Sequence, residues 1–250
     1  MKIFWCLLKK ELRTCFLSPI AFVVIFFFWV LMGGNFVWLL HQLANDAPIS
    51  MATQLLFGGP FISFSLPIII PLITMRLFAE ERKMGTLEAL LTTPLKVVSL
   101  VLSKFFGALF FYLVLWLPLF VFALILAKFS PSDEIIFPDW GSLYAGTIGI
   151  ILVGGVYISV GLLMSSLTSS QIVAAIAGFA VLFCTFLAGA FFAYTTANPT
   201  GRVLGQYFSS YAHMFDFARG IVSGHVVVLY LSFMAWFLFA TVRVVESKRL

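Results

Sequence analysis

The sequence predicts an all-α membrane protein with six transmembrane helices, on three observations. The chain has 250 residues of which 62% are hydrophobic and only 10% charged, and its mean hydropathy of +1.10 lies outside the soluble globular range. Six apolar stretches approach the roughly 20 residues a spanning helix needs: 20–40, 61–77, 105–126, 143–163, 172–192 and 226–242. They are continuous rather than alternating, which argues against a transmembrane β-barrel. No solenoid-period repeat or low-complexity linker divides the chain, so 1–250 reads as one transmembrane domain.

Residues 1–18 form an interfacial helix ahead of the first span, with Trp5, Leu8, Leu12 and Cys15 on one face and Lys2, Lys9 and Arg13 on another. They do not read as a cleaved signal, because the apolar run that follows is too long for a signal h-region. Ser18-Pro19 starts the first span, and Gly33, Gly34 and Asn35 lie near its outer end. The second span holds Pro67 and Pro71, which remove backbone donors and bend the helix unless neighbours compensate. The third carries Pro118 deep among Phe and Leu. In the fourth, Gly141, Ala145 and Gly149 recur every four positions, followed by Gly154, Gly155, Ser159 and Gly161, a spacing that lets helices approach closely. A short polar turn, 165–171, makes spans four and five antiparallel neighbours. Before span six, 195–225 is too apolar for a free loop and too interrupted for a span; Ser209, His213, Asp216 and Gly220 share a helical face, and a short helix in the outer leaflet fits. An Asp216–Arg219 pair is expected across one turn.

Orientation follows from Lys and Arg. Putting both termini on one side places twelve of the fifteen basic residues there and leaves Lys128, Arg202 and Arg219 on the other. The termini and the loop 79–104 are therefore expected in the cytoplasm, and the basic balance reflects topology and attraction to anionic membrane lipid rather than nucleic-acid binding.

That loop, AEERKMGTLEALLTTPLKVVSLVLSK, is the charged centre of an apolar chain, and its charges are expected to face water. Gly85-Thr86 ends one helix and starts a short one, roughly 87–92, with Thr86 as cap and Glu88 in the first turn. A helix so short needs a partner surface. Arg76 and Glu80 are spaced for an i,i+4 pair.

The common catalytic motifs are absent from the sequence. No lysine follows a glycine, so there is no P-loop; HExxH and Gly-x-Ser are missing too. Cys6, Cys15 and Cys184 read as small apolar filler without disulfide or metal spacing. His41, His213 and His225 all fall near the outer boundary, which keeps open a redox anchor binding haem or quinone, or an enzyme using His213 with Asp216.

Three segments carry a resemblance: KKELRTCFLSPIAF, FAEERKMGTLEALLTTPLKVVSLVLSK and SSYAHMFDFARGIVSGHVVVLYLSFMAWFLFATVRVVESKRL. In them the chain resembles the membrane-spanning permease of ABC-2-type ATP-binding-cassette transporters, of the branch with the gliding-motility and nitrous-oxide-reductase maturation permeases. The resemblance implies a multi-pass permease of the cell inner membrane, with an export direction favoured. It implies a coupling helix between spans two and three, where Glu81, Gly85, Thr86, Leu87 and Glu88 make or shape contact with a cytoplasmic ABC ATPase. It implies outer-leaflet helices that set His213, Asp216, Phe217 and Gly220 near the exit. It further implies two ATPase copies, a second permease, identical or paralogous, and ATP and Mg bound on the ATPase, with no cofactor on this chain.

Overall fold

The computed structural model describes residues 2–45, 51–88, 96–129, 139–195, 205 and 207–247. Among them all regular structure is helical: α1 Lys2–Leu17, α2 Pro19–Ala44, α3 Ala52–Gly58, α4 Pro60–Thr74, α5 Arg76–Lys83, α6 Val97–Leu115, α7 Leu117–Phe129, α8 Trp140–Leu167, α9 Gln171–Thr195, α10 Ser210–Ala218 and α11 Gly224–Glu246. Six helical stretches are long and apolar enough to cross a membrane.

Two of these crossings are composite. The second runs over Ala52–Lys83, far beyond 61–77, and is built from α3, α4 and α5. Gly59-Pro60 interrupts it first, with Gly59 extended at φ −58°, ψ 150°, and Met75 again, one turn after Pro71. The third begins at Val97 rather than Phe105 and breaks at Trp116, two residues ahead of Pro118. Hydropathy ended the second span beside Arg76 and started the third after Lys104, whereas the helices continue through those charges; at the other end of the second, the turn residues Gly58, Gly59 and Pro60 stopped the reading.

α8 is the hub. It packs against α4, α5, α6, α9, α10 and α11, and 72% of its most apolar window is buried, against 17% for α11 and 28% for α2 and α9. Its glycines explain how so many neighbours fit. A Cβ on Gly146 would meet Phe57, on Gly149 Phe217, on Gly154 Tyr112, on Gly155 Met234 and on Gly161 Thr74. Each notch thus accepts a side chain from a different element, as small-residue packing requires. The outward faces of α2 and α11 stay apolar, with Phe22, Phe26, Trp236 and Phe239 exposed, as contact with hydrocarbon demands.

The helix runs into the turn expected at 165–171 and shortens it. α8 continues to Leu167, so only Thr168, Ser169 and Ser170 connect it to α9. At its other end Asp139 caps α8, accepting from Gly141 N at 3.1 Å and from the Ser142 hydroxyl. The Ser142 bond, opposed by slight burial and helped by Gly141 N–H, holds the Asp139 carboxyl below its ordinary pKa. A depressed folded pKa stabilises above the unfolded value and is lost as pH falls through the folded one. Asp139→Ala should therefore lower stability by about 1 kcal/mol at neutral pH, and thermal unfolding in detergent should show that deficit shrinking in acid.

Candidate functional site

The charged end of the bundle is built around the break at Met75. A helix that restarts at Arg76 leaves its first N–H groups without partners in their own chain segment. Ser165, from the last turn of α8, supplies them: its hydroxyl accepts from Phe78 N and Ala79 N, both at 3.1 Å, and donates to Met75 O at 3.0 Å. Arg82 returns the favour at the end of α8, donating to Leu167 O at 3.0 Å. α5 is thereby fixed to the hub at both ends. Arg76 makes the expected pair with Glu80, bidentate at 2.7 and 2.9 Å, and also donates to the Ser18 hydroxyl at the start of α2.

One turn on, four charges meet. Lys104 Nζ donates to Glu11 at 3.0 Å and makes an ionic contact with Glu81 Oε2 at 2.9 Å, while Lys10 donates to the other Glu81 oxygen at 2.7 Å. The side chains of Lys104 and Glu11 are 1% and 4% exposed, that of Glu81 11%. The Phe78 ring lies 5.2 Å from the same ammonium. The expectation that charge in the 79–104 loop faces water is corrected here for Glu81 and Lys104. They are buried because each finds an opposite charge on another element, and the quartet is neutral as a whole. Burial works against the charge on Lys10, but the Glu81 hydrogen bond and the charges of Glu81 and Glu11 outweigh it and raise its pKa.

Beyond the quartet the chain leaves α5 through Gly85, at φ +69°, the left-handed conformation that glycine adopts without strain. Gly85 N bonds Arg82 O at 3.2 Å, and the Thr86 hydroxyl donates to Glu81 O at 3.1 Å. Helix resumes at Thr86 itself; Leu87 is buried and Glu88 exposed. The remainder of the expected short helix, 89–92, lies outside the described residues. Of the five residues singled out in this loop, the structure therefore turns Glu81 and Leu87 inward and presents Gly85, Thr86 and Glu88 outward.

A cavity of about 290 Å³ opens beside the quartet, among α1, α2, α4, α5 and α6. Its charged wall includes Lys10, Arg76 and Lys104 with Glu11, Glu80 and Glu81, and its apolar wall includes Val24, Leu72 and Phe111. Cys15 also lines it. Burial, with the Glu11 charge adding to it, pushes the Cys15 thiol up to about 11, so it stays protonated at neutral pH.

At the opposite end, α10 is seated on α8 between α3 and α9. Ser209 caps it, accepting from Ala212 N at 3.3 Å. Gly220, at φ +84°, closes it, with Gly220 N to Phe217 O at 2.9 Å and Ile221 N to Asp216 O at 3.0 Å, the paired bonds of a Schellman ending. Phe217 is 1% exposed and fills the Gly149 notch, so it anchors the helix. His213 is buried and pairs through Nδ1 with the Tyr230 hydroxyl at 3.2 Å. Arg219 does not take the expected partner Asp216; its Nε reaches Gln54 at 3.3 Å on α3. The other histidines stand elsewhere: His41 bonds Asn45, and His225 stacks on Tyr207. Among the described residues no three His, Cys, Asp or Glu side chains converge as a metal site.

Sequence reading passed over Glu11 and Ser165. The signal for Glu11 was local: it lies one turn from both Leu7 and Cys15, an acid within the packed face of α1. Ser165 offered none, because its partners are 86 to 90 residues away.

Residues 5–249 match the family model described as ABC-2 family transporter protein. No curated protein matches the chain in sequence.

Proposed function

From the premise that the chain belongs to the ABC-2 family of transporter proteins, and so is a multi-pass membrane permease subunit of an ABC transporter, we propose that it exports its substrate with energy from a separate ATPase. In this reading two copies of a cytoplasmic ABC ATPase hold ATP and Mg, this chain holds no cofactor, and a second permease, identical or paralogous, completes the transporter. Both termini and the 79–104 loop face the cytoplasm at the inner membrane, which the charge asymmetry supports. The segment similarity that carried the family resemblance supports placement beside the gliding-motility and nitrous-oxide-reductase maturation permeases.

The supporting observation is the tie between the exposed loop and the buried quartet. A push on Glu88 travels through Gly85 and Thr86 to Glu81, whose carbonyl and carboxylate are both held. From Glu81 it reaches α6 through Lys104 and α1 through Lys10, and α8 through Ser165 at the root of α5. One displacement thus moves three elements without relying on a flexible linker. Gly85, Thr86 and Glu88 touch the ATPase, whereas Glu81 and Leu87 shape that contact from behind. At the far end His213, Asp216, Phe217 and Gly220 build the helix beside the exit.

The test is reconstitution with a candidate cytoplasmic ABC ATPase. The complex should hydrolyse ATP in vesicles, and Glu88→Lys or Gly85→Val should reduce substrate-coupled hydrolysis about tenfold, as expected for loss of one contact at the docking surface, with insertion unchanged. Normal coupling in both variants, or transport by the chain alone, overturns the reading. Orientation has its own check in a Cys184→Ala background. A membrane-impermeant maleimide should label exposed Cys6 in inside-out vesicles and not in intact cells, with the Cys15 thiol, its pKa raised, labelled more slowly.

A further inference from the structure

A second cavity, of about 550 Å³, lies between α8, α9, α10 and α11. That volume is in the range of pockets that enclose small molecules. Its wall is apolar over most of its extent, with Leu182 and Phe237 among the residues that form it, and among the described residues no Lys, Arg, Asp or Glu lines it. The polar groups are gathered in one corner. Ser210, His213, Tyr157 and Tyr230 all line the cavity. The Tyr230 hydroxyl meets His213 Nδ1 at 3.2 Å, and the Ser210 side chain stands close to the Tyr157 and Tyr230 hydroxyls. Both tyrosines and the histidine are at most 5% exposed.

α10 has anchors other than this network. Phe217 in the Gly149 notch and the Gln54–Arg219 contact already seat that helix. Three hydroxyls and an imidazole, each able to donate or accept, instead form a corner that can exchange one internal bond for a bond to a guest. The corner supplies no ion to balance a charged guest, and burying an unpaired charge there is costly. A hydroxyl or carbonyl head group suffers no such penalty, and its chain finds the apolar wall.

We propose that this cavity binds a single-chain amphiphile with an uncharged hydrogen-bonding head, the head held by Tyr157, Ser210, His213 and Tyr230 and the chain lying against Leu182 and Phe237. The site stands independently of the ATPase-driven reading, since binding to it needs neither nucleotide nor partner.

The probe is a long-chain alcohol carrying a mid-chain diazirine, with its carboxylate counterpart as control, photolysed with the full chain in nanodiscs. Labelling should map to peptides spanning 156–160, 181–189 or 229–237 and be competed by unlabelled alcohol. The carboxylate should label about tenfold less, from the cost of desolvating its charge. Ala188→Trp, which fills the pocket from an exposed position on α9, should abolish labelling of those peptides. Tyr230→Phe should weaken it about fivefold, the effect of one hydrogen bond. Both variants are to be compared at matched elution profile and intrinsic fluorescence, so that misfolding is not read as lost binding. Equal labelling by alcohol and carboxylate, or wild-type labelling in either correctly folded variant, overturns the site. Either result leaves the coupling assay untouched, so failure here and failure of the permease reading are told apart.

Discussion

Lys104→Met is expected to destabilise the folded chain by about 3–5 kcal/mol, the range found when one member of a buried ion pair is removed. The ammonium of Lys104 is the only charge in the quartet that touches carboxylates on two different elements and is itself sealed from solvent. Without it Glu11 and Glu81 face each other with only Lys10, which is 47% exposed, to balance them. Adding Glu11→Gln restores neutrality and should recover a large part of the loss. By contrast Arg243→Ala, which removes an exposed i,i+3 partner of Glu246, should change stability by less than about 0.5 kcal/mol. Thermal unfolding in detergent measures all three. A silent Lys104→Met, or a double variant no better than the single, would show that the cluster adds nothing to stability.

Gly154→Ala in the hub should cost about 2 kcal/mol net, while its neighbour Gly155→Ala should be close to neutral. At Gly154 the new methyl would collide with Tyr112 Cε1, in a ring that is fully buried and packed edge-on against Trp116. At Gly155 it meets the Cε of Met234, the far end of a flexible side chain that can swing aside. Overpacking a core costs about 1–3 kcal/mol, and replacing Gly by Ala within a helix returns about 1; Gly154 takes the upper end of the first figure, and at Gly155 the two nearly cancel. Equal effects at the two sites would mean that backbone separation, rather than the rigidity of the neighbour, governs the fit.

The features legible in the sequence were those written in nearest-neighbour chemistry. Apolar length fixed the number of crossings, the Gly spacing of 141–161 marked the helix that packs most closely, and Arg76–Glu80 and the ending at Gly85 follow from offsets of a few residues. Pairings between distant elements were not legible. Glu81 and Lys104 read as solvent-facing because charge alone carries that implication, and their burial depends on Glu11 and Lys10 arriving from α1, 71 residues from Glu81 in the Lys10 case. The charged ends of the second and third crossings were misplaced for the same reason, since hydropathy stops at a charge whether or not it is neutralised, while Gly58, Gly59 and Pro60 hid the α3 segment of the second. Asp216 and Arg219 had the right spacing, but Gln54 on α3 lay within reach of the guanidinium.

The hydroxyl of Ser165 has a mechanical corollary. The joint at Met75 is clasped by a side chain that belongs to the central rod, so a roll of that rod about its own axis withdraws the clasp and lets α5 unwind from its first residue. A slide that carries the hydroxyl beyond hydrogen-bond reach does the same, so the joint answers to displacement of the rod at Ser165 whether it twists or travels.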